Sequence, residues 1–148
     1  MPTKIPVELS KMFTVNHFED YPIIKIPQTF TDGRGTIMNI ADGSLGDVAF
    51  ITSRSGSIRA NHFHKQDWHL TFLITGGMNY EWQDSNREKE NKVTIVTGGQ
   101  LIFTPSNTPH KMTFTQDSTF IAISRLNRSH EEYSADTISL ESNFFEEL

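Results

Sequence analysis

From about Tyr21 onward, short apolar or alternating runs are separated by turn residues along most of the chain. Runs such as VAFITS, WHLTFLITGG, KVTIVTGGQLIF and STFIAISRL are rich in β-branched and aromatic residues, with Gly, Asn, Asp and Pro between them. Strands of this length and spacing predict an all-β sandwich or barrel. Helical character is confined to a turn near VELSKMF and to the polar segment NRSHEEYSADT.

The chain has 148 residues, which is the length of one ordinary domain. We therefore predict a single domain over residues 1–148, with a barrel core over about 21–127, an N-terminal arm over 1–20 and a C-terminal tail over 128–148. The polar segment DSNREKEN is expected to form an exposed hairpin loop.

The amino-acid composition limits the possible metal ligands and binding partners. The sequence has no cysteine, so a metal ion would be held by nitrogen and oxygen ligands. Its net charge is -5 and it contains no basic run, which argues against a nucleic-acid partner. Neither a signal-like segment nor a long apolar run occurs, so we expect a cytoplasmic protein without membrane contact.

The segment GSIRANHFHKQDWH holds three of the six histidines. On a strand, His62 and His64 lie on one face with Cα atoms about 6 to 7 Å apart, a separation at which two imidazoles can converge on one ion. Ile58 and Ala60 share their parity and would suit an apolar interior, so we expect the histidines to line a cavity.

Two further histidines begin alternating runs and can face the same cavity. His69 follows the polar turn KQD, and His110 follows a turn bracketed by Pro105 and Pro109. This pattern is compatible with metal ligation, with metal-free acid/base or substrate-binding chemistry, and with structural histidines. The other two histidines, His17 and His130, match no motif and are interpreted as surface residues.

The spacing of these residues resembles the first motif of the cupin superfamily, which runs G, five residues, H, one residue, H, three or four residues, E, six residues, G. Gly56, His62, His64 and Gly76 occupy the corresponding positions. His69 stands where the family usually has glutamate. This departure keeps a metal-binding side chain but removes its negative charge.

The second cupin motif runs G, five residues, P, one residue, G, two residues, H, three residues, N. Gly99, Pro105 and His110 match it, while Asn107 stands for the second glycine and Phe114 for the asparagine. Asparagine is a reasonable substitute in a turn, because it tolerates the left-handed conformation. Together the two motifs span roughly two fifths of the chain.

The resemblance implies a cupin jelly-roll barrel, also called a double-stranded β-helix. It further implies a divalent transition metal, which would be zinc, iron, nickel, manganese or copper, bound by His62, His64, His69 and His110. Four neutral imidazoles leave the charge of such an ion uncompensated, so an anionic substrate or hydroxide would be a favourable additional ligand.

A second resemblance concerns the nucleotide-sugar branch of the cupins, which contains the dTDP-4-keto-6-deoxyhexose 3,5-epimerases and 3,4-ketoisomerases. That branch has an F-x-D-x-RG strand followed by an R-G-x-H-A-H-K strand. The matching residues are Phe30, Asp32, Arg34 and Gly35, then Arg59, His62, His64 and Lys65, with Ala60 in place of the usual glycine. The resemblance implies that His62 is the base that removes the proton next to a ketone, with His64 as its partner, in a homodimeric enzyme.

Substrate contacts follow from the same resemblance. Cationic candidates for the diphosphate are Arg34, Arg54, Arg59 and Lys65. By strict alternation Arg59 points away from His62, so it reaches the cavity only if the strand bulges. Trp82 is the predicted stacking residue for a sugar or base, with Trp68 and Tyr80 also near the motif. The resemblance to the epimerases would allow Tyr133 to close over the cavity mouth as an acid, but no motif fixes it there and we expect it at the surface.

Three functions remain open from the sequence. The most concrete is a metal-binding isomerase or epimerase that acts on a keto-sugar nucleotide, or on a related small carbonyl compound, in carbohydrate biosynthesis. The alternatives are a metal-dependent dioxygenase-type cupin and a non-catalytic module that binds a sugar or metabolite.

Overall fold

The structure, a computed structural model, describes residues 4–84, 89–127 and 129–146. Within these residues the regular secondary structure is mostly β-strand, which confirms the prediction of an all-β fold. The strands are β1 (Ile23–Ile24), β2 (Gln28–Asp32), β3 (Gly35–Asn39), β4 (Asp47–Ser53), β5 (Ile58–His64), β6 (His69–Thr75), β7 (Gly77–Asp84), β8 (Glu90–Thr97), β9 (Leu101–Thr104), β10 (His110–Phe114), β11 (Ser118–Ser124) and β12 (Thr137–Ser139). The helical elements are 3-10 helices at Val7–Leu9 and Val15–Phe18 and one α-helix, α1 (His130–Asp136).

Ten of these strands form two five-stranded sheets. Sheet 1 has the order β1-β9-β6-β11-β4 and sheet 2 has the order β12-β5-β10-β7-β8. Neighbouring strands in both sheets are antiparallel, while β2 and β3 form a separate hairpin. From β4 to β12 sequential strands alternate between the sheets except for β7 and β8, so β5, β10 and β12 lie in sheet 2 and β4, β6 and β11 lie in sheet 1.

The main core lies between the inner faces of the two sheets. Its buried residues alternate along the strands with outward-facing ones, as a sandwich requires. The members of this core are Leu73, Met78, Tyr80, Trp82, Val96, Ile102, Met112, Phe114, Phe120 and Ala122. Side chains of both sheets therefore meet in a single apolar layer.

The predicted N-terminal arm covers the outer face of sheet 1. Leu9, Phe13 and Phe18 are fully buried there against outward-facing residues such as Leu70 and Phe103. Phe18 meets Phe103 edge-on, with ring centroids 5.7 Å apart. The predicted helical turn near VELSKMF is present as the 3-10 helix Val7–Leu9.

The C-terminal tail is part of the fold. It forms α1 and then β12, which pairs with β5 through Thr137↔His64, Ile138↔Phe63 and Ser139↔His62. Further along, Phe145 is buried. The tail therefore completes the edge of the sheet that carries the histidine pair.

No helix in the described part of the chain is long and apolar enough to cross a membrane. The predicted loop DSNREKEN lies between β7 and β8, and its residues 85–88 fall outside the described residues.

The glycines of the first cupin motif differ in how strongly the fold requires them. Gly56 has φ +85° and Gly76 has φ +104°, so both adopt a conformation that side chains disfavour. A Cβ atom at Gly76 would also lie 2.7 Å from the carbonyl oxygen of Asp117 and 2.7 Å from the Cα atom of Ser118, whereas a Cβ at Gly56 meets nothing within 4 Å. The β6–β7 turn therefore needs glycine for space as well as for conformation.

We predict that Gly76→Ala destabilises the protein more than Gly56→Ala does. Backbone strain should cost about 1 to 2 kcal/mol in both variants, and the clash should add about 1 to 3 kcal/mol at Gly76 alone. Urea unfolding of the two variants measures the difference. Gly33→Ala is the control, because Gly33 has no neighbour within 4 Å and no left-handed φ. Equal losses of unfolding free energy in Gly76→Ala and Gly56→Ala would contradict the conclusion that the β6–β7 turn needs glycine for space.

Candidate active site

Three strands bring the predicted histidines together at one end of the sandwich. His64 ends β5, His69 begins β6, and His110 begins β10 directly opposite His62. The turn before β10 is tied to β5 by a hydrogen bond from the Asn107 backbone N–H to the His64 carbonyl oxygen, at 2.6 Å. Asn107 has φ +59°, as expected for the residue that replaces the motif glycine.

His64 lies at the centre of the imidazole cluster. Its ring centroid is 4.5 Å from that of His62, 4.4 Å from that of His69 and 5.8 Å from that of His110. The His62 and His110 centroids are 4.9 Å apart. All four histidines predicted from the motifs therefore belong to one cluster.

A β-bulge in β5 determines which side chains reach this cluster. Ala60 and Asn61 have φ values of +66° and +59°, and the register with β10 shifts so that His62 faces His110 while Ala60 faces Lys111. Asn61 is thus the extra residue of the bulge. The left-handed conformation at Ala60 is one that glycine adopts more readily than alanine.

The bulge changes which residues at the start of β5 face the cavity, although Ala60 lines it as predicted. Ile58 is 59% exposed, so the prediction that it faces the interior is wrong. Arg59 instead lines a cavity of about 140 Å³ together with His62, His69 and His110. The sequence predicts that Arg59 reaches the cavity only if the strand twists or bulges, and β5 does bulge. The remaining wall of the cavity includes Ile51, Thr71, Met112, Phe120 and Ala122.

In three of the histidines, one ring nitrogen lies within hydrogen-bond distance of an oxygen atom. His110 Nδ1 is 2.8 Å from the carbonyl oxygen of Thr108, which can only accept, so His110 donates from Nδ1. His64 Nδ1 is 3.2 Å from Thr137 Oγ1. His69 Nε2 is 2.9 Å from Asp67 Oδ2. Such anchoring fixes the orientation of each ring, as is usual for both metal ligands and acid/base histidines.

Two buried carboxylates lie behind the cluster, and the sequence reasoning missed both of them. Asp136 accepts the backbone N–H groups of Gln66 and Asp67, and its Oδ2 is 3.8 Å from His64 Nδ1. Burial alone would raise the pKa of Asp67, but the hydrogen bond and charge interaction with His69 and the backbone N–H of Leu126 outweigh it and lower that pKa. Asp67 is therefore an ionised carboxylate at neutral pH.

His110 is held neutral. Burial, followed by the neighbouring His62, lowers the pKa of His110 well below 6.5. Because its Nδ1 carries the proton, Nε2 is the nitrogen with the lone pair. A neutral imidazole of this kind can accept a proton or ligate a metal.

Metal-ligating atoms fall into two groups among the described residues. The first contains His62, His64 and His110, and the second contains His64, Asp67 and His69; within each group the ligand atoms lie within 4.8 Å of one another. His69 thus lies in the cluster but groups with Asp67 and not with His62 and His110. The structure therefore brings three of the four predicted metal ligands into one set.

Tyr133 of α1 lines the same cavity as His62, so the prediction of a surface position is wrong. Its ring centroid is 5.8 Å from that of His64. The helix before β12 carries Tyr133 to the cavity, and its position is held by the pairing of β12 with β5 and by the hydrogen bonds of Asp136 to the turn after β5. No motif in the sequence contains this information.

Arg59 connects the cavity to a second, larger groove. Its Nε donates to Ser53 Oγ at 2.6 Å and its Nη2 donates to the Thr52 carbonyl oxygen at 2.9 Å, so Arg59 ties β5 to β4. The groove has a volume of about 610 Å³ and is lined by Arg54, Arg59 and hydroxyl-bearing residues, and also by Asp117. Two of the predicted cationic residues thus lie along one groove.

The other predicted substrate-binding residues lie elsewhere. Arg34 is in the β2–β3 turn, where its side chain is 87% exposed and pairs with Asp32 at 2.6 Å. Lys65 lies in the exposed turn after β5. Trp82 is buried in the core, where its Nε1 donates to Thr94 Oγ1 at 3.0 Å and its ring meets Tyr21 edge-on. None of these three side chains is among the residues that line the histidine cavity.

The remaining candidates have structural positions. Tyr80 and Trp68 are buried, and the Tyr80 hydroxyl is 2.7 Å from Thr104 Oγ1. Burial raises the pKa of Tyr80, so it is a neutral phenol. His17 accepts the Thr14 backbone N–H at the start of a 3-10 helix. The side chain of His130 falls outside the described residues.

No protein-family model matches the chain, and comparison with curated protein sequences finds no match. Solved structures do match. A dTDP-4-dehydrorhamnose 3,5-epimerase from Sulfolobus tokodaii has a TM-score of 0.66 and 15% identity, over 83% of this chain and 78% of the other. A 3,4-ketoisomerase from Thermoanaerobacterium thermosaccharolyticum, a double mutant in complex with TDP, has a TM-score of 0.62 and 19% identity, over 80% of this chain and 87% of the other.

A 3'-monoepimerase from Streptomyces bikiniensis in complex with dTDP-quinovose has a TM-score of 0.67 and 12% identity, over 82% of this chain and 71% of the other. The predicted cupin jelly roll is thereby confirmed. The chain has the fold of the nucleotide-sugar 3,5-epimerases and 3,4-ketoisomerases, the branch that its motifs resemble. Because one barrel carries many chemistries, the function has to be argued from the residues of this chain.

We predict that the metal-free protein loses stability on acidification because of His110. The folded-state pKa of His110 lies below its unfolded value near 6.5, so the unfolded chain binds more protons as the pH falls. The free energy of unfolding has its full value well above pH 6.5. Below that pH it falls by up to about 1.4 kcal/mol per pH unit for one proton.

Urea unfolding between pH 5 and pH 7.5, after removal of metal with EDTA, measures this slope. His110→Gln should reduce the slope by as much as one proton. Met112→Leu, a change further along β10, is the control and should shift stability equally at every pH. A slope unchanged by His110→Gln would show that His110 is not the responsible group.

Proposed function

We propose that this chain is an isomerase or epimerase that moves a proton next to the carbonyl group of a keto-sugar nucleotide or a related small carbonyl compound. The reaction belongs to carbohydrate biosynthesis. The observation that carries the proposal is that His62 and Tyr133 face one cavity, which Arg59 links to a groove suited to an anion. The nucleotide ligands of two structural neighbours, TDP and dTDP-quinovose, support the same substrate class.

His62 acts as the base in this proposal. It removes the proton from the carbon next to the ketone; the electron pair of the C–H bond forms a carbon–carbon double bond, and the π pair of the carbonyl group moves to oxygen to give an enolate. In an epimerisation a proton then returns to the same carbon on the opposite face. In an isomerisation it returns to the former carbonyl carbon, while the hydroxyl group on the deprotonated carbon loses its proton and becomes the new ketone, so no net oxidation occurs. His64 lies edge-on to His62 and is only 1% exposed, so it supports His62 as its partner without contacting the substrate.

Tyr133 supplies the second proton-transfer group. Tyr133 lies on an element different from the histidine strands yet lines the same cavity. A phenol can donate a proton to an enolate and be reprotonated from solvent. This role replaces the surface position expected from the sequence.

The groove accommodates the diphosphate. Arg54 and Arg59 provide cations, and the neighbouring serine and threonine hydroxyls provide neutral donors. The bonds from Arg59 to Ser53 and Thr52 use two of its five N–H donors and hold the guanidinium at the junction of groove and cavity. The sugar would then enter the cavity while the nucleotide lies in the groove.

A divalent metal fits the three-histidine group. His62, His64 and His110 offer nitrogen donors within 4.8 Å of one another, and the anchored Nδ1 of His110 leaves its Nε2 for a metal. Such a site suits zinc, iron, nickel, manganese or copper, and the metal would polarise a carbonyl oxygen as a Lewis acid. This group also makes a metal-dependent dioxygenase the second candidate function.

We predict deuterium incorporation for the isomerase. Incubation with dTDP-4-keto-6-deoxyglucose in deuterated water should place deuterium at C3 or C5, because an enolate takes its new proton from solvent. His62→Gln should slow the incorporation by about 100-fold or more, since a positioned base contributes that much. Nuclear magnetic resonance and mass spectrometry follow the label.

His17→Gln is the matched control, because His17 lies in the N-terminal arm, outside the cavity lining. Absence of exchange with wild-type protein, under conditions in which a known epimerase exchanges the same sugar, would refute the isomerase proposal.

Metal content tests whether the three-histidine group is a metal site, which the dioxygenase requires. Protein purified without a His tag should contain about one first-row metal per chain if the three-histidine group is a metal site. Adding zinc to metal-free protein at about 100 times its dissociation constant should then increase stability by about 2.7 kcal/mol. His110→Ala should abolish both effects, and His17→Ala should not. No metal and no stabilisation in the wild type would exclude the dioxygenase and leave His62 available as a base.

A further inference from the structure

Asp67 and His69 form a buried pair that the proposed reaction does not use. The side chains are 2% and 8% exposed, and Asp67 Oδ2 is 2.9 Å from His69 Nε2. The other carboxylate oxygen, Oδ1, accepts the backbone N–H groups of Arg125 and Leu126 at 2.9 and 3.0 Å. The end of β11 therefore holds Asp67 in place from the opposite side.

These contacts fix the protonation pattern of the His69 ring. An ionised carboxylate only accepts hydrogen bonds, so His69 must donate from Nε2. When the His69 ring carries a single N–H, that proton is therefore on Nε2 and Nδ1 has the lone pair. The His69 ring also stacks on His64, with centroids 4.4 Å apart and planes 29° apart, so it has little freedom to rotate.

The same contact separates His69 from the three-histidine group. A ring nitrogen of His69 lies within 4.8 Å of ligand atoms of His64 and Asp67, whereas the ring nitrogens of His62, His64 and His110 form a separate set. Yet His69 lines the cavity beside His62 and His110, so it borders the space that a ligand would fill.

We infer that Asp67 is a positioning residue that holds His69 as a hydrogen-bond acceptor on the cavity wall, where His69 binds a hydroxyl group of the ligand and does not ligate metal. The sugar part of this inference rests on the proposed function. A sugar carries hydroxyl groups next to its reacting carbons, and an acceptor fixed on the wall selects the orientation in which one of them points toward His69.

Asp67→Asn tests this inference with little change of shape. The asparagine oxygen can still accept the N–H groups of Arg125 and Leu126, but its amide group donates to His69 Nε2. The proton of His69 is then forced onto Nδ1, and the cavity faces a donor where it had an acceptor. The tautomer of His69 is read from the imidazole nitrogen and carbon resonances of ¹⁵N-labelled protein, assigned with His69→Gln.

The expected result in wild-type protein is an N–H at Nε2, and in Asp67→Asn an N–H at Nδ1. Affinity for dTDP-quinovose, which lacks a ketone and so does not react by the proposed route, should fall about tenfold or more. Affinity for TDP alone should not change, because TDP has no hexose hydroxyl groups. Zinc affinity should also be unchanged. Asp42→Asn, an exposed carboxylate between β3 and β4, is the matched control and should alter none of these readings.

A wild-type N–H at Nδ1, or a tautomer that is unchanged in Asp67→Asn, would overturn the inference. A loss of zinc affinity in Asp67→Asn would also overturn it, because it would make His69 a metal ligand. Equal weakening of TDP and dTDP-quinovose would contradict the contact with a sugar hydroxyl. If wild-type protein binds neither nucleotide, the proposed substrate class fails, while the tautomer and zinc measurements still decide the role of Asp67.

Discussion

The bulge at Ala60 and Asn61 is the constraint on which the site depends. Two consecutive non-glycine residues in the left-handed region cost about 1 to 2 kcal/mol each, so the surrounding structure must hold them. The C-terminal segment does so, because the Leu140 N–H donates to the Asn61 carbonyl oxygen at 3.0 Å and the Asn61 amide lies 3.3 Å from the Glu141 carbonyl oxygen. The tail that brings Tyr133 to the cavity also stabilises the bulge that brings Arg59 there.

Charge is arranged in layers around the cluster. The imidazole that faces the cavity from β10, His110, is held neutral, while the ionised Asp67 and the buried Asp136 lie behind His69 and His64. The sequence suggested that four imidazoles leave a metal charge uncompensated. A metal held by the three-histidine group would gain part of that compensation from the buried carboxylates, and the attraction would be weaker than direct ligation because it acts over a longer distance.

The sequence predicted what depends on periodicity and spacing. The all-β fold, the inward position of His69 and His110, and the turn at Asn107 follow from alternation and from the preference of single residues. The parity of Ile58 and Arg59 did not follow, because one extra residue reverses it and alanine gives no signal of a left-handed backbone. Asp67 lay in a turn, where alternation has no meaning, and its partners Arg125 and Leu126 are 58 and 59 residues away. Trp82 shares an inner face with the histidines, but whether an inward side chain meets a cavity or a filled core depends on packing across both sheets.

The choice between the isomerase and the oxygenase depends on whether the lone pair of His62 accepts a proton or binds a metal. His62 can accept a proton from carbon or donate to a metal, but it cannot do both at once. The three-histidine geometry serves either chemistry, so the discriminating feature lies outside the cluster. An oxygenase would need the ion and an apolar pocket, whereas this cavity has a guanidinium on its wall that continues into a groove with Arg54 and several hydroxyl groups. Arginine fixed at such a junction recognises phosphate oxygens through its planar array of donors. The arrangement therefore favours a phosphorylated carbonyl substrate, and with it the use of His62 as a base.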